Sequence, residues 1–581
     1  MLWTCAHCGA VNDVTTSKSD EVESLLSPGT FKAVCEACGK ASAIRDLRPT
    51  GLFDLVATAL AKEPSATHMI SDDNTVEVHD TPHLWGKPFD KVGTTVAVDD
   101  AAAGLVRVMA QVLGRGQSVI DIVSLDAPGE DDQFERTIFR CLKAATYDTK
   151  GEVVIRILLG FVPVEGRFNT WCARLLKEIK SWGSGATPRL FIGQLYSVKH
   201  TQWNHCKIMA SDGVRAVVGG HNLWWSAYAT LPMAHDISLH VVGKAAFDAQ
   251  VFCEYLWNWG GWWLNAWTLK PGACAATDWV KVTTYASDKA VRIFCCFPPQ
   301  EDKSRSTSSS TVFAPKIKLK VMSQPVEIGH RGLLLSEPPN PYTARIMGLA
   351  RCGQSHLPSA ASDIAKLTII EQATFSLKLC QQDLVFLGSG LAFPFSEQDH
   401  KICFAIAKAL LSRDKLMVQI VVSPQRAYGG GAQYSWTSGA VGTMKLLQKF
   451  LKKLAGGKTL YESACARLKI APFCFTKCAF DSEDASAVED DKLYRWPTLG
   501  KVGKPYPTGF ACYPSPGNHA KCFFADDEVC YVGSDNLYPN ANAEFGYLVE
   551  GRAGQALLED YWDQVWTYSA PHCIAPVDDW G

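Results

Sequence analysis

The strongest constraint on this 581-residue chain is a residue pattern that occurs twice at identical spacing. Each copy has a histidine, a lysine two positions later, an aspartate after four intervening residues and, after six more, Gly-Gly-x-Asn or Gly-Ser-x-Asn. The positions are His205, Lys207, Asp212 and residues 219–222 in the first copy, and His519, Lys521, Asp526 and residues 533–536 in the second. The fold must therefore accommodate two equivalent segments.

The sequence around each copy alternates between apolar and other residues, which predicts a hairpin or two short strands. Side chains two residues apart on a strand point the same way, so His205 and Lys207 are expected to share a face, as are His519 and Lys521. The closing turn then returns its asparagine amide beside them. Each copy therefore offers a nucleophile or acid, a positive charge and a neutral donor, a set that suits a phosphodiester.

The doubled pattern resembles the signature of the phospholipase D superfamily, present twice in one chain. The sequence around Trp224 and Tyr228 and the run from Asn536 to Pro539 look most like the bacterial, actinomycete-type phospholipases D and their toxin-like relatives. The resemblance extends over roughly residues 95 to 570. It implies an α/β fold made of two similar α-β-α sandwich halves related by a pseudo-two-fold axis.

The resemblance also implies a reaction without a catalytic metal or other required cofactor. One histidine attacks phosphorus to form a phosphohistidine while the other protonates the departing alcohol, and the second then activates water or another alcohol. By analogy with the actinomycete-type relatives, His205 is the expected nucleophile and His519 the acid; the sequence itself does not order them. The groups expected to hold the non-bridging oxygens are Lys207, Lys521, Asn222 and Asn536.

Two acids follow the signatures. Asp236 and Glu544 lie 31 and 25 residues after the histidine of their own copy, and each precedes a glycine by seven residues. That agreement indicates an internal repeat rather than a repeated motif alone. The resemblance implies that these carboxylates orient a histidine and stabilise its protonated form. It implies that the signature aspartates, Asp212 and Asp526, brace the fold through ion pairs.

The N-terminus carries two Cys-x-x-Cys pairs, each followed by glycine. Cys5 with Cys8 and Cys35 with Cys38 have the spacing of a zinc-ribbon-like module with one tetrahedral Zn²⁺. Four thiolates would close the coordination shell, so the ion would be structural. The alternatives are four reduced thiols or two redox pairs.

Helix-like and strand-like segments alternate from about residue 101 and again from about residue 363. This rhythm predicts a mainly parallel sheet with helices on both faces. The expected organisation is a zinc-ribbon-like module at 1–45, an unassigned connecting region at 46–95, a first half at 96–300, a linker at 301–340 and a second half at 341–581.

The composition of the chain limits the kinds of partner that it is expected to bind. The net charge is −2, with 57 basic and 59 acidic residues, whereas a nonspecific binder of nucleic acid needs a basic surplus. No basic-then-apolar leader and no apolar run of membrane-spanning length stands out. The 21 cysteines, an odd number without a leader, favour reduced thiols and an intracellular protein, with export as an effector left open.

The expected function is a monomeric phospholipase D at a membrane surface, which hydrolyses the headgroup of a glycerophospholipid and uses water or an alcohol as acceptor. The tryptophan-rich run at 256–267 suits either a membrane interface or the core. The principal alternative is a phosphodiesterase or nuclease that acts on nucleic acid. A third reading is an adaptor with a vestigial site, which the intact histidines and lysines disfavour.

Overall fold

The structure is a computed structural model. It describes residues 2–4, 11–13, 31–34, 41–44, 51–62, 68–83, 85–86, 102–160, 167–183, 188–197, 202–229, 233–257, 263–269, 279–284, 343–352, 360–385, 399–424, 428–429, 432–433, 439–475, 517–540 and 542–576.

The N-terminal region contains two short antiparallel strand pairs. They are β1 (Leu2–Thr4) with β2 (Val11–Asp13), and β3 (Phe31–Val34) with β4 (Ala41–Ile44). In the sequence, each Cys-x-x-Cys pair falls between the two strands of one such pair. The cysteines Cys5, Cys8, Cys35 and Cys38 themselves lie outside the described residues, so the predicted zinc site stays a prediction.

The elements up to residue 284 alternate between strands and helices and end in a run of antiparallel strands. They are α1 (Leu52–Ala61), β5 (His68–Thr81), α2 (Ala103–Leu113), β6 (Val119–Ser124), α3 (Gln133–Asp148), β7 (Val154–Leu159), α4 (Arg167–Ser181), β8 (Arg189–Ser197), β9 (Gln202–Trp203), β10 (Ile208–Ser211), β11 (Arg215–Gly219), α5 (Trp225–Ala229), β12 (Asp236–Val242), α6 (Lys244–Trp257), β13 (Trp263–Leu269) and β14 (Trp279–Thr284).

The elements after residue 342 follow a similar order. They are β15 (Thr343–Cys352), α7 (Ala361–Gln372), β16 (Ser376–Gln381), α8 (Lys401–Ser412), β17 (Met417–Val422), β18 (Tyr428–Gly429), β19 (Ala432–Gln433), α9 (Gly439–Leu454), α10 (Lys458–Ala466), β20 (Leu468–Pro472), β21 (Lys521–Ala525), β22 (Val529–Gly533), β23 (Ala543–Glu550), α11 (Arg552–Leu557), a π-helical turn (Leu558–Trp562), α12 (Asp563–Ser569) and a 3₁₀ turn (Ala570–His572).

The main sheet has the same strand order on both sides of its centre. On one side β8, β7 and β6 run parallel and are followed by antiparallel β10, β11 and β12. On the other, β20, β17 and β16 run parallel and are followed by antiparallel β21, β22 and β23. The α/β class is confirmed, but the prediction of a mainly parallel sheet is wrong, because each signature returns as antiparallel hairpin strands.

Strand β5 lies at the centre of this sheet. It pairs antiparallel with β12 on one side and with β15 on the other, while β15 also pairs with β23. The buried side chain of Asn74 joins β5 to β15 and to the start of α6, since its amide group donates to Ala344 O at 3.3 Å and its oxygen accepts from Ala245 N at 2.9 Å. Residues 46–95, to which the sequence assigned no role, thus supply the strand between the two sides of the sheet.

The apolar core has three parts. One lies under α2, α3 and α4, a second lies under α7, α8 and α9, and the third draws residues from both signature regions. In that shared part Phe252 stacks on Phe545 with ring centroids 5.2 Å apart, and the Tyr547 hydroxyl donates to Ala245 O at 2.6 Å. Helix α1 also packs into the second part through Phe53 and Val56. The two signature regions therefore share one interior.

The described cysteines are free thiols, and nearly all of them are buried, as expected for small apolar residues. Trp257, the one tryptophan of the 256–267 run whose side chain is described, lies in the shared core. Among the described residues, no helix combines the length and the apolarity needed to cross a bilayer.

Candidate active site

The two signature histidines are held by backbone contacts that cross between the two halves. His205 precedes β10, and its N–H donates to Ala543 O at 3.0 Å; His519 precedes β21, and its N–H donates to His235 O at 2.6 Å. Each accepting residue comes directly before one of the predicted acids. The start of β23 therefore meets His205, and the start of β12 meets His519.

The carboxylates also cross between the two halves, so that each contacts the histidine of the opposite half. Nδ1 of His205 lies 3.0 Å from the Glu544 carboxylate, and Nδ1 of His519 lies 2.6 Å from Asp236 Oδ2. The sequence spacing referred each acid to the histidine of its own copy, whereas in the fold each acid contacts the histidine of the other copy. Both sets of predicted residues consequently form one site.

The carboxylate contacts fix the tautomer of both imidazoles. A carboxylate at Nδ1 accepts the proton carried there, which leaves the lone pair of a neutral ring on Nε2. Burial lowers the pKa of His205, although Glu544 opposes that shift. Burial, Lys521 and Lys207 lower the pKa of His519 well below its usual value. Near neutral pH both rings are therefore neutral in the free protein.

The two lysines place buried positive charge beside the histidines. The ammonium of Lys207 donates to His205 O at 2.6 Å, and that of Lys521 donates to His519 O. Burial lowers the pKa of Lys207 to about 8 and that of Lys521 well below its usual value. Because burying an ammonium is costly, such a pair is best explained by an anion that binds next to it.

The signature asparagines keep unused hydrogen-bonding capacity. Among the described residues, neither side-chain polar atom of buried Asn222 has a hydrogen-bond partner, and the side-chain oxygen of buried Asn536 has none. The Asn536 amide group donates to the Tyr538 hydroxyl at 2.8 Å. An unpaired buried amide costs about 1–3 kcal/mol, a cost that a bound polar ligand can offset.

The supports of the two acids differ in charge. The Tyr228 hydroxyl donates to Asp236 Oδ2 at 3.1 Å and accepts from Asn222 N at 2.7 Å, so Asp236 has a neutral neighbour. Arg351 donates to Glu544 Oε1 at 3.3 Å. Burial alone would raise the pKa of Glu544, but His205 and Arg351 hold it below its usual value. Glu544 therefore divides its charge between the Arg351 cation and the N–H of His205.

The third residue of each closing turn repeats this difference. His221 bonds neutral groups, with Nε2 2.9 Å from Thr81 Oγ1 and Nδ1 2.8 Å from Ser238 Oγ, and burial lowers its pKa to about 3. Its counterpart Asp535 lies 2.9 Å from the Lys366 ammonium. The two copies of the signature therefore match in backbone arrangement but differ in the charge of their neighbouring groups.

The signature aspartates brace the fold through backbone amides rather than through the ion pairs that the resemblance implied. Asp212 accepts from the N–H groups of residues 117, 118 and 119 at 2.7–2.9 Å. Asp526 accepts from those of residues 374, 375 and 376 at 2.7–2.9 Å. These amides stand at the start of β6 and β16, so each aspartate fixes its signature hairpin to the first parallel strand of its half.

Sequence reasoning missed two asparagines that precede the histidines. Asn204 donates to Ser124 O at 2.9 Å and accepts from Cys206 N, and Asn518 donates to Gln381 O at 2.8 Å and accepts from Ala520 N. They tie each signature to the end of β6 or β16. Their signal was available, because the repeat extends one residue upstream in both copies. Arg351 carried no such signal.

Comparison with known proteins gives a related sequence and a larger number of structural likenesses. No protein-family model matches the chain. The chain is 25% identical over 514 residues to a phospholipase D from Streptomyces antibioticus, an alignment that covers 86% of this chain and 81% of the relative.

Two of the structural likenesses are distant in sequence. A phosphatidylserine synthase from Haemophilus influenzae gives a TM-score of 0.49 at 11% identity, covering 90% of this chain and 92% of the other. The phospholipase D family member Nuc from Salmonella typhimurium gives a TM-score of 0.20 at 17% identity, covering 32% and 91%. It is the alignment with the Streptomyces protein that supports a relationship between this chain and the phospholipase D superfamily, and with it a phosphodiesterase type of enzyme.

Proposed function

We propose that this protein is a phospholipase D that cleaves the headgroup phosphodiester of glycerophospholipids through a phosphohistidine intermediate. The observation that carries the proposal is the exchange of acids, in which Glu544 contacts His205 and Asp236 contacts His519. It brings both signatures to one site within a single chain, so a monomer holds the complete machinery.

In the first step Nε2 of His205 attacks phosphorus, and the bond from phosphorus to the headgroup oxygen breaks as His519 gives its proton to that oxygen. The unequal supports of the acids favour this order. Arg351 withdraws part of the Glu544 charge from His205, which favours a neutral nucleophile. Asp236 meets His519 at 2.6 Å and also accepts from neutral donors, the Tyr228 hydroxyl and Ile237 N, which favours an imidazolium there.

The low pKa of His519 in the free protein is compatible with its role as an acid. Besides burial, the charges of Lys521 and Lys207 lower that pKa. A bound phosphodiester anion would offset these charges and raise the pKa of His519 in the complex. Substrate binding would thus protonate the acid that it requires.

The lysines and asparagines would hold the non-bridging oxygens. Lys207 and Lys521 supply charge, and Asn222 supplies an amide group without a partner among the described residues. Asn536 would supply the second N–H of its amide group, since one N–H is given to the Tyr538 hydroxyl. Donors placed in advance stabilise the charge that develops on pentacoordinate phosphorus. In the second step neutral His519 takes a proton from water or an alcohol, whose oxygen bonds to phosphorus as the bond to His205 breaks.

Two observations favour a lipid over a nucleic acid. The related sequence is that of a phospholipase D, and the net charge of −2 lacks the basic surplus that polyanion binding requires. The enzyme would work in peripheral contact with a membrane surface. The four N-terminal cysteines Cys5, Cys8, Cys35 and Cys38 would hold a structural Zn²⁺ outside the phosphodiester chemistry.

The proposal is tested by incubating the purified chain with phosphatidylcholine vesicles and ethanol, and separately with a single-stranded oligonucleotide. Phosphatidic acid and phosphatidylethanol are expected, with the oligonucleotide intact. Oligonucleotide cleavage without lipid products would replace the lipid assignment by the nuclease alternative.

Three variants test the chemistry. His205→Ala and His519→Ala should each abolish turnover, while His83→Ala, which changes an exposed histidine two residues after β5, serves as the control. Rapid quenching with a short-chain phosphatidylcholine should place the phosphoryl adduct on His205. An adduct on His519 would reverse the roles, and near-full activity in either alanine variant would refute the mechanism.

A further inference from the structure

A second group of chemistry-bearing residues lies on the central strands, apart from the phosphodiester site. Glu77 and His79 are on β5, and His240 is on β12. In the antiparallel register His240 stands opposite Glu77, and Ser238 stands opposite His79. Because residues two apart on a strand share a face, all three side chains project on the same side of the sheet.

The separations within this cluster suit a shared metal ion. Glu77 Oε1 lies 3.5 Å from His79 Nε2, and Glu77 Oε2 lies 3.3 Å from His240 Nδ1. Charge-assisted hydrogen bonds usually measure about 2.7–2.9 Å, so both contacts are long. Ligands at 2.0–2.1 Å from a tetrahedral Zn²⁺ are about 3.3 Å apart, and these contacts are close to that value.

The burial of the cluster also points to a ligand. The side chains of His79 and His240 are only 10% and 9% exposed, and among the described residues Nε2 of His79, the ring atom that faces Glu77, has no hydrogen-bond partner. Glu77 is 60% exposed, which gives an ion access from solvent. Within the described part of the chain, this is the group of three metal-ligating side chains whose donor atoms all lie within 4.8 Å of one another.

We propose that Glu77, His79 and His240 bind a divalent transition metal of the Zn²⁺ class, with water in the remaining coordination position. Two imidazoles and one carboxylate are a donor set that suits zinc rather than calcium or magnesium, which prefer oxygen ligands alone. The ion would join β5 to β12 across the central pair of the sheet.

The role that follows is structural. His240 is four residues from Asp236 along β12, and Ser238, which stands opposite His79, is two residues from Asp236, about 13 and 7 Å in an extended strand. The ion would therefore lie along the strand from Asp236 rather than beside it. There it would fix the strand that presents Asp236 to His519. The inference is independent of the proposed phospholipase activity.

The test is metal binding by the full-length chain. Metal-free protein is titrated with Co²⁺ and then with Zn²⁺, and the spectrum separates the two predicted sites, because only thiolate ligands give sulfur-to-cobalt charge transfer. Wild type should bind one more equivalent of Zn²⁺ than His79→Asn/His240→Asn. That lost equivalent should be the one whose Co²⁺ form lacks charge-transfer absorption.

Two single variants keep the test decisive if the double variant fails to fold. Glu77→Gln, on the solvent-exposed side of the cluster, should lower the metal affinity of the non-thiolate site at least tenfold. His83→Asn should leave that affinity unchanged. Added Zn²⁺ should raise the unfolding temperature of wild type more than that of Glu77→Gln. Equal stoichiometry and affinity in wild type and Glu77→Gln would overturn the proposal and leave an ion-paired cluster without metal.

Discussion

At the scale of single residues, the closing turns differ at one position that touches an acid. Gly220 lies against Asp236, and a Cβ atom there would overlap its carboxylate and approach His519 O to 3.1 Å. The equivalent Ser534 has room, and its hydroxyl accepts from Phe545 N at 3.1 Å. The two copies are therefore not interchangeable here.

Gly220→Ser should reduce kcat by roughly 100-fold, because displacing Asp236 misplaces the His519 ring, and an error of about 1 Å in a reacting group costs about that much. Steady-state kinetics on phosphatidylcholine would measure the loss. Ser534→Gly is the matched control and should retain most of the activity. Equal activities of the two variants would contradict the packing argument.

The pH profile should be set by the histidines and lysines. The pKa values of both histidines are lowered, so the neutral nucleophile persists until the pH falls below their usual value of about 6.5. The pKa of Lys207 is lowered to about 8 and that of Lys521 is also lowered, so positive charge is lost as the pH rises toward 8.

Consequently kcat/KM should fall on the alkaline side at or below about pH 8, whereas the ordinary lysine pKa is about 10.4. The alkaline limb of the kcat profile should lie at a higher pH, because a bound anion stabilises both ammonium groups. Circular dichroism across the range would exclude unfolding as the cause. A kcat/KM that stays flat to pH 10 would show that neither lysine titrates as inferred.

At the scale of elements, each signature hairpin depends on its aspartate. Both aspartates have positive φ, 54° for Asp212 and 51° for Asp526, a conformation that aspartate tolerates better than most residues. Each accepts three amide hydrogen bonds from the start of its neighbouring parallel strand. The same device thus anchors the hairpin in both halves.

Asp526→Ala should destabilise the second half by about 3 kcal/mol, through lost charged hydrogen bonds and the left-handed backbone that alanine disfavours. Hydrogen exchange should show faster exchange at residues 374–376 and little change at 117–119. Asp212→Ala should give the opposite pattern and so serves as the matched control. Unchanged protection at 374–376 in Asp526→Ala would contradict this role.

At the scale of the whole molecule, the two halves are joined along their length. Strand β5 pairs with strands of both, the shared core takes residues from both, and the acid contacts cross between them. The residues in those acid contacts are separated by 339 and 283 positions in the chain. Association of the halves therefore rests on packing rather than on the covalent connection.

Cutting the chain between the halves should for that reason leave the enzyme intact. A protease site inserted in the predicted linker at 301–340 and then cleaved should give two fragments that elute together in gel filtration and retain activity. The uncut protein with the same insertion is the control. Separation of the fragments in native buffer would show that the interface is too weak to hold the site.

The sequence by itself determined the local parts of this protein. Alternation around the two signatures predicted hairpin strands, which the structure reproduces as β10 with β11 and β21 with β22. The repeated spacing singled out His205, Lys207, His519 and Lys521, which lie together in one site. The strand prediction succeeds because side chains alternate in direction along a strand, so the order of residues alone records the pattern.

Only the tertiary structure decided which acid serves which histidine and what residues 68–81 do. The polar run at 71–83 shows little strand periodicity, because β5 gains its partners from both sides of the sheet rather than from an apolar face of its own. The exchange of Asp236 and Glu544, like the support from Arg351, depends on how distant strands pack. Local pattern carries no record of that choice, since the contacts join residues hundreds of positions apart.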